Sequence, residues 1–316
     1  MLGSVDDAED LVQDTLLRAW RGRHGFEGRS RFRTWLYRIA TNACLTALER
    51  APRRVLPQDV TPPITAATDA SGARETPAWA PEIPWLQPYP DHLLDIAAPS
   101  DGEPEALLAS RETIELVFLA ALQHLPPRQR AILISCDVLG WSAREVAEAL
   151  ELSVASVTSA LQRAHATMRA VRPAASIPGD PPPVRASAAP AAPTDDERAL
   201  LAAYMDAWGR ADVAALTRLL HDDARWAMPP APLWFDGRAA IVRLLTLFPM
   251  DFHGAFRFVP TAANRQVAAA AYLRPHGQTE FRLSGVHVLR IAGGAIAEIT
   301  TFSGALCSRF GLAPTL

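Results

Sequence analysis

Four polar side chains at three- and four-residue spacing, Ser156, Ser159, Gln162 and Arg163, put hydroxyls, an amide and a guanidinium on one side of a single helix, with Ser153 at its start. Those groups reach base edges and phosphates when a helix lies in a major groove. A second set lies near the start, where Arg29, Arg31, Arg33 and Arg38 cluster around Phe32 and Trp35. Arginine beside an aromatic suits single-stranded DNA, because phosphates need positive charge and unstacked bases need a flat partner. The same residues also suit plainer roles, the serines a solvated helix face and the two rings an ordinary core. Cys44, Cys136 and Cys307 are far apart and lack the paired spacing of a zinc or redox motif; we read them as buried thiols, and no metal site is expected.

The elements that position these groups are helical. From Leu125 to Met168 the chain reads as three short helices joined by tight turns. Pro126 and Pro127 open the first, where a missing N–H costs nothing, and Gly140 ends it. Ser142 and Glu145 form a capping box for the second, and Ser153 caps the third. On the third, Val154, Val157, Leu161, Ala164 and Met168 form the face that packs inward. Near the start, a helix from Asp7 to about Arg21 places Leu11, Val12, Leu16, Ala19 and Trp20 mainly on one side, with Asp10, Gln13, Asp14 and Arg18 around the rest. A second helix begins after Ser30 and repeats Phe32, Trp35, Leu36, Ile39 and Ala43 at helical spacing.

The motifs DAEDLVQDTLLRAW and FRTWLYRIATNACL, followed after a linker by the block from Leu125 to Met168, resemble the two-domain plan of extracytoplasmic-function sigma factors of the sigma-70 family. The resemblance implies a core-polymerase-binding helix, a −10 recognition and melting helix, and a −35 reader. By position it implies that Asp10, Gln13, Asp14 and Arg18 face the polymerase clamp. Arg33, Trp35, Arg38 and Asn42 would lie near the −10 strand, and Ser153, Ser156, Ser159, Gln162 and Arg163 near −35 DNA. Relatives carry a further helix upstream of the one from Asp7, so the first domain is expected to be truncated, with Met1 an internal methionine. Thr46 stands where relatives usually have an acidic residue, and Glu49 where a basic one is common.

Composition fits a soluble, cytoplasmic, multidomain protein: 316 residues, 49% hydrophobic, with no apolar run approaching a membrane span. The acidic start MLGSVDDAED is not a signal or transit peptide. Net charge is −3 and every Lys or Arg position is arginine. A free-standing DNA binder is usually clearly basic, since counterion release supplies most of its non-specific affinity. The balance here suits a factor that reaches promoters as a subunit of a larger enzyme. Expected domains are 1–54, a Pro- and Ala-rich linker 55–104, the helix-turn-helix 105–172, a second linker 173–194 and a C-terminal domain 195–316. Within the first linker the island EIPWLQPYPDHLLDI, with Trp85, Leu86, Tyr89, Leu93 and Leu94, is too apolar to stay in water and is expected to dock, either as a tether on a folded domain or along the polymerase, or as a short cap on the domain's own core. Pro173 to Pro193 is a semi-extended spacer.

Beyond Asp195 the pattern turns mixed. Helices at about Asp196–Trp208, Val213–Leu220 and Arg238–Leu247 precede strand-like runs near Phe256–Pro260, Val267–Leu273, Phe281–Ile291 and Ala295–Phe302, with Gly293 and Gly294 at a hairpin turn. The fold class is thus two all-α modules plus an α+β cone with a curved antiparallel sheet. The stretch from LLAAYMDAW to IVRLL resembles the SnoaL-like, nuclear-transport-factor-like domain, whose enzymes keep a carboxylate, or a carboxylate and histidine, inside the cone. The cone candidates here, Trp208, Trp226, Met228, Trp234, Phe235, His287 and Glu298, are mostly apolar, and no acid–base pair can be placed from spacing. Asp212, Asp222 and Asp223 sit where caps and turns would use them. No catalytic residue or cofactor is assigned.

The expected function is promoter recognition with core RNA polymerase and promoter DNA as partners, and with the cone as regulator. An anti-sigma factor or a small apolar ligand is a further partner, and no membrane is involved. Two other readings stay open: a cyclase- or isomerase-type enzyme fused to a DNA-binding regulator, and a one-component ligand-sensing repressor.

Overall fold

The computed structural model describes residues 1–26, 28, 32–50, 61–65, 86–96, 116–171, 193–248 and 254–316. Arg29, Arg31, Trp85 and residues 173–192 of the spacer lie outside them. The described residues form two units, one from residues 1–50 and 116–171, the other from residues 61–65, 86–96 and 193–316.

In the first unit α1 (Val5–Gly22) starts where the Asp7 amide donates to Ser4 Oγ, and it packs against α2 (Phe32–Arg50). The buried positions between the helix ends are small, Thr15 and Ala19 on α1 and Ala43 on α2. The larger side chains of the apolar side, Val12, Leu16 and Trp20, are 55%, 54% and 66% exposed. Small residues let two helices approach closely, so the face they occupy is the one that is covered, and the i, i+4, i+8 stripe of large ones points away.

The second half of this unit begins with α3 (Leu116–Leu122). Pro127 opens α4 (Pro127–Leu133), which runs on as a short π-helix, Ile134–Val138, before Gly140 breaks the chain at φ +69°. Ser142 and Glu145 form the expected capping box on α5 (Ala143–Leu150). Glu151, left-handed at φ 55°, turns the chain into α6 (Val154–Val171), whose Ser156 amide donates to Ser153 Oγ at 3.1 Å. Val157, Ala164 and Met168 are buried as expected and Leu161 partly so, but Val154, in the first turn of α6, is 48% exposed.

The second unit is a six-stranded sheet whose core is shared with the helices packed against it. Thr194 caps α7 (Asp195–Gly209) and Asp212 caps α8 (Val213–Leu219), with α9 (Arg238–Leu247) between strands. The strands are β1 (Leu220–Ala227), β2 (Trp234–Asp236), β3 (Gly254–Ala263), β4 (Gln266–Pro275), β5 (Arg282–Ala292) and β6 (Ala295–Ser303), in the order β2-β1-β6-β5-β4-β3. The sheet is mixed and not wholly antiparallel, because β1 runs parallel to β6. Asp222 and Asp223 are strand residues of β1 and not turn residues; Asp222 pairs with Arg238 at 2.5 Å. Among the cysteines, Cys307 is buried while Cys44 and Cys136 are only half-buried.

Candidate nucleic-acid interface and the C-terminal cone

On α2, Arg33, Arg38 and Asn42 are exposed and Trp35 is half-buried. Trp35, Arg38 and Asn42 stand at i, i+3 and i+7, so the helix itself aligns a ring, a guanidinium and an amide on one side. Trp35 joins Phe26 and Phe32 in a cluster of rings with centroids 5.2–5.8 Å apart. Arg33 sits 5.5 Å over the Tyr37 ring. On α1, Asp10, Gln13 and Arg18 are exposed, Asp14 is half-buried, and Asp14 and Arg18 pair at 2.8 Å beside the open Val12–Leu16–Trp20 stripe.

On α6 Ser156, Ser159, Gln162 and Arg163 are exposed on the side away from the buried Val157 and Ala164, and Ser153, which caps the helix, is exposed at its start. Arg163 Nη1 donates to Ser159 Oγ at 2.6 Å, which holds the guanidinium along the helix. His165 Nε2 lies 2.9 Å from Asp137 Oδ2 and ties α6 to the π-turn. Burial raises the Asp137 carboxyl, and His165 opposes that shift. The arrangement presents a capped helix with a donor-rich outer face, which is what a major groove accepts.

In the cone, the rings of Trp208, Trp226 and His287 come together, with Tyr204, Phe256 and Phe258 completing the cage. Met228 packs at its margin. Trp234 does not join it: on β2 it pairs with Ala227, so the two-residue period turns it to the face opposite Trp226 and Phe235, beside Arg225. Glu298 also faces away, with Arg290 Nε 3.4 Å from its carboxylate. His287 is buried 2.7 Å from the Tyr204 hydroxyl, and burial pushes its pKa down to about 3. The same burial raises Tyr204, so a protonated phenol shares a hydrogen bond with Nδ1 of a neutral ring. The Trp208 N–H lies near enough to the Tyr204 oxygen to oppose that rise slightly, yet makes no hydrogen bond of acceptable geometry. Trp226 Nε1 donates to Thr301 Oγ1 at 2.8 Å.

Sigma-70 region 2 matches residues 1–54, Sigma-70 region 4 matches 115–168 and a SnoaL-like domain matches 201–299. The ECF RNA polymerase sigma factor SigG of Mycobacterium tuberculosis is 42% identical over 318 residues, which cover 100% of this chain and 80% of that protein. The chain belongs to the ECF sigma factors. Among more distant relatives, SigE of Mycolicibacterium smegmatis is 28% identical over 170 residues, covering 53% of this chain and 52% of its own. The crystal structure of the M. tuberculosis ECF sigma factor SigJ shares the fold, with TM-score 0.58 and 18% identity over 99% of this chain and 93% of that one. This sigma factor thus carries its promoter-recognition modules ahead of a SnoaL-like domain. Among its described residues no helix is long and apolar enough to cross a membrane.

Several residues of this sigma factor that the sequence did not single out join the second unit together. The Trp234 indole donates to Thr61 O at 2.9 Å, Ile64 N donates to Trp234 O at 3.1 Å, and Asp236 N donates to Ile64 O at 3.2 Å, so residues 61–65 lie along β2. At the other edge, the turn between β3 and β4 holds the island: Asn264 and Tyr89 exchange two backbone-directed bonds at 2.9 Å, and Arg265 N donates to Asp91 Oδ1 at 2.8 Å. Leu86 is buried and a short helix, Asp91–Ile96, follows. Only the island's apolar, aromatic composition signalled this contact; Thr61, Ile64 and Asn264 gave none.

Proposed function

We propose that this sigma factor reads its promoters through the outer faces of α2 and α6, and that its SnoaL-like domain regulates it by holding the segment between the two modules. Asp10, Gln13, Asp14 and Arg18, with the uncovered Val12, Leu16 and Trp20 beside them, form the surface for the polymerase clamp; a contiguous exposed apolar patch rimmed by charge is the usual mark of a protein contact. Arg33, Trp35, Arg38 and Asn42 meet the −10 strand, and Ser153, Ser156, Ser159, Gln162 and Arg163 meet −35 DNA.

The observation that carries the regulatory reading is the capture of the interdomain segment at both edges of one sheet, residues 61–65 on β2 and residues 86–96 at the β3–β4 turn. A segment pinned at two separated points cannot set the spacing of its flanking modules freely. An anti-sigma protein, or a small apolar ligand among Trp208, Trp226 and His287, would act by shifting that restraint. A neutral His287 paired with a phenol, and not with a carboxylate, favours a binding role for the cone over proton transfer near neutral pH.

The test is run-off transcription with core polymerase at saturating sigma factor, comparing the full chain with one ending at Val171. A changed transcript yield is expected. Equal yields would leave the domain without a regulatory task.

A further inference from the structure

The face of the SnoaL-like sheet turned away from the aromatic cage carries two cations on one ring. Phe256 and Phe258 point into the cage, so Arg257 between them points the other way. Across β3 and β4, Arg257 pairs with Tyr272 and Ala255 with Arg274, which makes the two arginines diagonal neighbours on that outer face. Their guanidinium carbons lie 4.6 and 4.8 Å from the centroid of the Phe281 ring, which is 8% exposed, while both arginines are exposed.

Like charges on neighbouring strands repel, and a carboxylate between them is the usual remedy. Here none is supplied. Among the described residues no ion pair joins either arginine to an acid: Glu280 is engaged by Arg282 at 3.5 Å, and the carboxylate of Leu316, whose amide donates to Phe281 O at 2.9 Å, pairs with neither. The negative face of the ring offsets part of the repulsion and holds the guanidiniums in place. Planar donors held this way match phosphate oxygens. Along each strand of duplex DNA a phosphate recurs every 3.4 Å or so of axis, so two arginines whose Cα atoms stand about 7–8 Å apart on the diagonal reach one backbone together. Acidic protein surfaces have no such repeat. Phe281 is too covered to stack on a base, so the contact carries charge without sequence.

We propose that Arg257 and Arg274 form a DNA-backbone site on the SnoaL-like domain, which adds sequence-neutral affinity for the promoter to that of α2 and α6. The site lies at the open end of the β3–β4 hairpin, away from the turn that holds Tyr89 and away from β2. It goes beyond the regulatory reading of this domain and stands or falls independently of it.

The test is promoter binding by the holoenzyme, assembled from core polymerase and the full chain, at a series of salt concentrations. Each phosphate contact contributes about 0.9 to the slope of log affinity against log salt. The variant carrying Arg257→Gln and Arg274→Gln is expected to have a slope shallower by about 1.8, so that between about 50 and 200 mM salt the parent loses roughly tenfold more affinity than the variant does. Arg257→Lys with Arg274→Lys keeps both charges and is expected to keep the slope. Arg218→Gln, which removes an exposed cation from α8, is expected to leave it unchanged. Equal slopes for the parent and the double Gln variant overturn the site, and so does an equal drop per charge in Arg218→Gln, the mark of a bulk-charge effect. Equal promoter slopes together with weaker binding to core polymerase alone would assign the patch to an acidic protein surface and overturn the DNA contact. Each single Gln variant is expected to carry half the drop, which keeps the measurement decisive if a melting curve shows the double variant to be unfolded.

Discussion

Burial of His287 among Tyr204, Trp208, Trp226 and Phe258 fixes its protonation and makes the cone sensitive to acid. The unfolded chain titrates this histidine near 6.5, while the folded one holds it neutral down to about pH 3. Above pH 6.5 both states are neutral and the stability is fully present. As the pH falls from there towards 3, the unfolded state gains a proton that the folded state refuses, which removes about 1.4 kcal/mol per pH unit. His287→Gln keeps a hydrogen-bonding partner for the Tyr204 hydroxyl, since an amide both donates and accepts, and has no such titration. Its C-terminal domain is therefore expected to melt with a shallower pH dependence than the parent between pH 6.5 and 5; equal slopes would assign the acid sensitivity to another group. The thiols follow the same physics, with Cys136 raised to about 11 and Cys307 to about 12 by burial, so both stay protonated at neutral pH.

At the scale of elements, the helices were legible because their signals are local. Ser142 with Glu145, Ser153 and Asp212 each cap a helix within one turn of themselves, and the structure shows all three caps. Strand β1 was not legible. Its HDDARWA run carries polar residues at both parities and spends its apolar positions against a parallel neighbour more than seventy residues away. Strand pairing also sets limits that no propensity reveals. A Cβ on Gly285 would lie 2.1 Å from the Phe302 carbonyl oxygen across β6, so β5 and β6 would have to part. Gly285→Ala is expected to destabilise the C-terminal domain by about 1–3 kcal/mol, measured by chemical denaturation. A neutral result would mean that the β5–β6 pair yields without cost.

For the whole molecule, the decisive relation is between the SnoaL-like sheet and the segment between the sigma modules. Asn264 sits buried at φ 56° with its side chain accepting from Tyr89 N. Asn264→Ala removes that acceptor and disfavours the left-handed backbone, so one of the two anchors should loosen. Trypsin is then expected to cut faster after Arg74, the one arginine between Arg54 and Arg111, and transcription should shift in the same direction as in the chain ending at Val171. Unchanged cleavage would show that the β2 anchor alone holds the segment.

The order of helices, their caps, the polar face of α6 and the change from helical to mixed pattern near Asp195 were all written in the sequence, because each depends on residues a few positions apart. Tertiary structure alone decided that Thr15 and Ala19 rather than Val12 and Leu16 face α2, that Trp234 meets Thr61 instead of His287, and that the Tyr89 island belongs to the β3–β4 turn. Those outcomes turn on which surfaces exclude water together, and a pattern of period 3.6 or 2 names a face without naming what covers it.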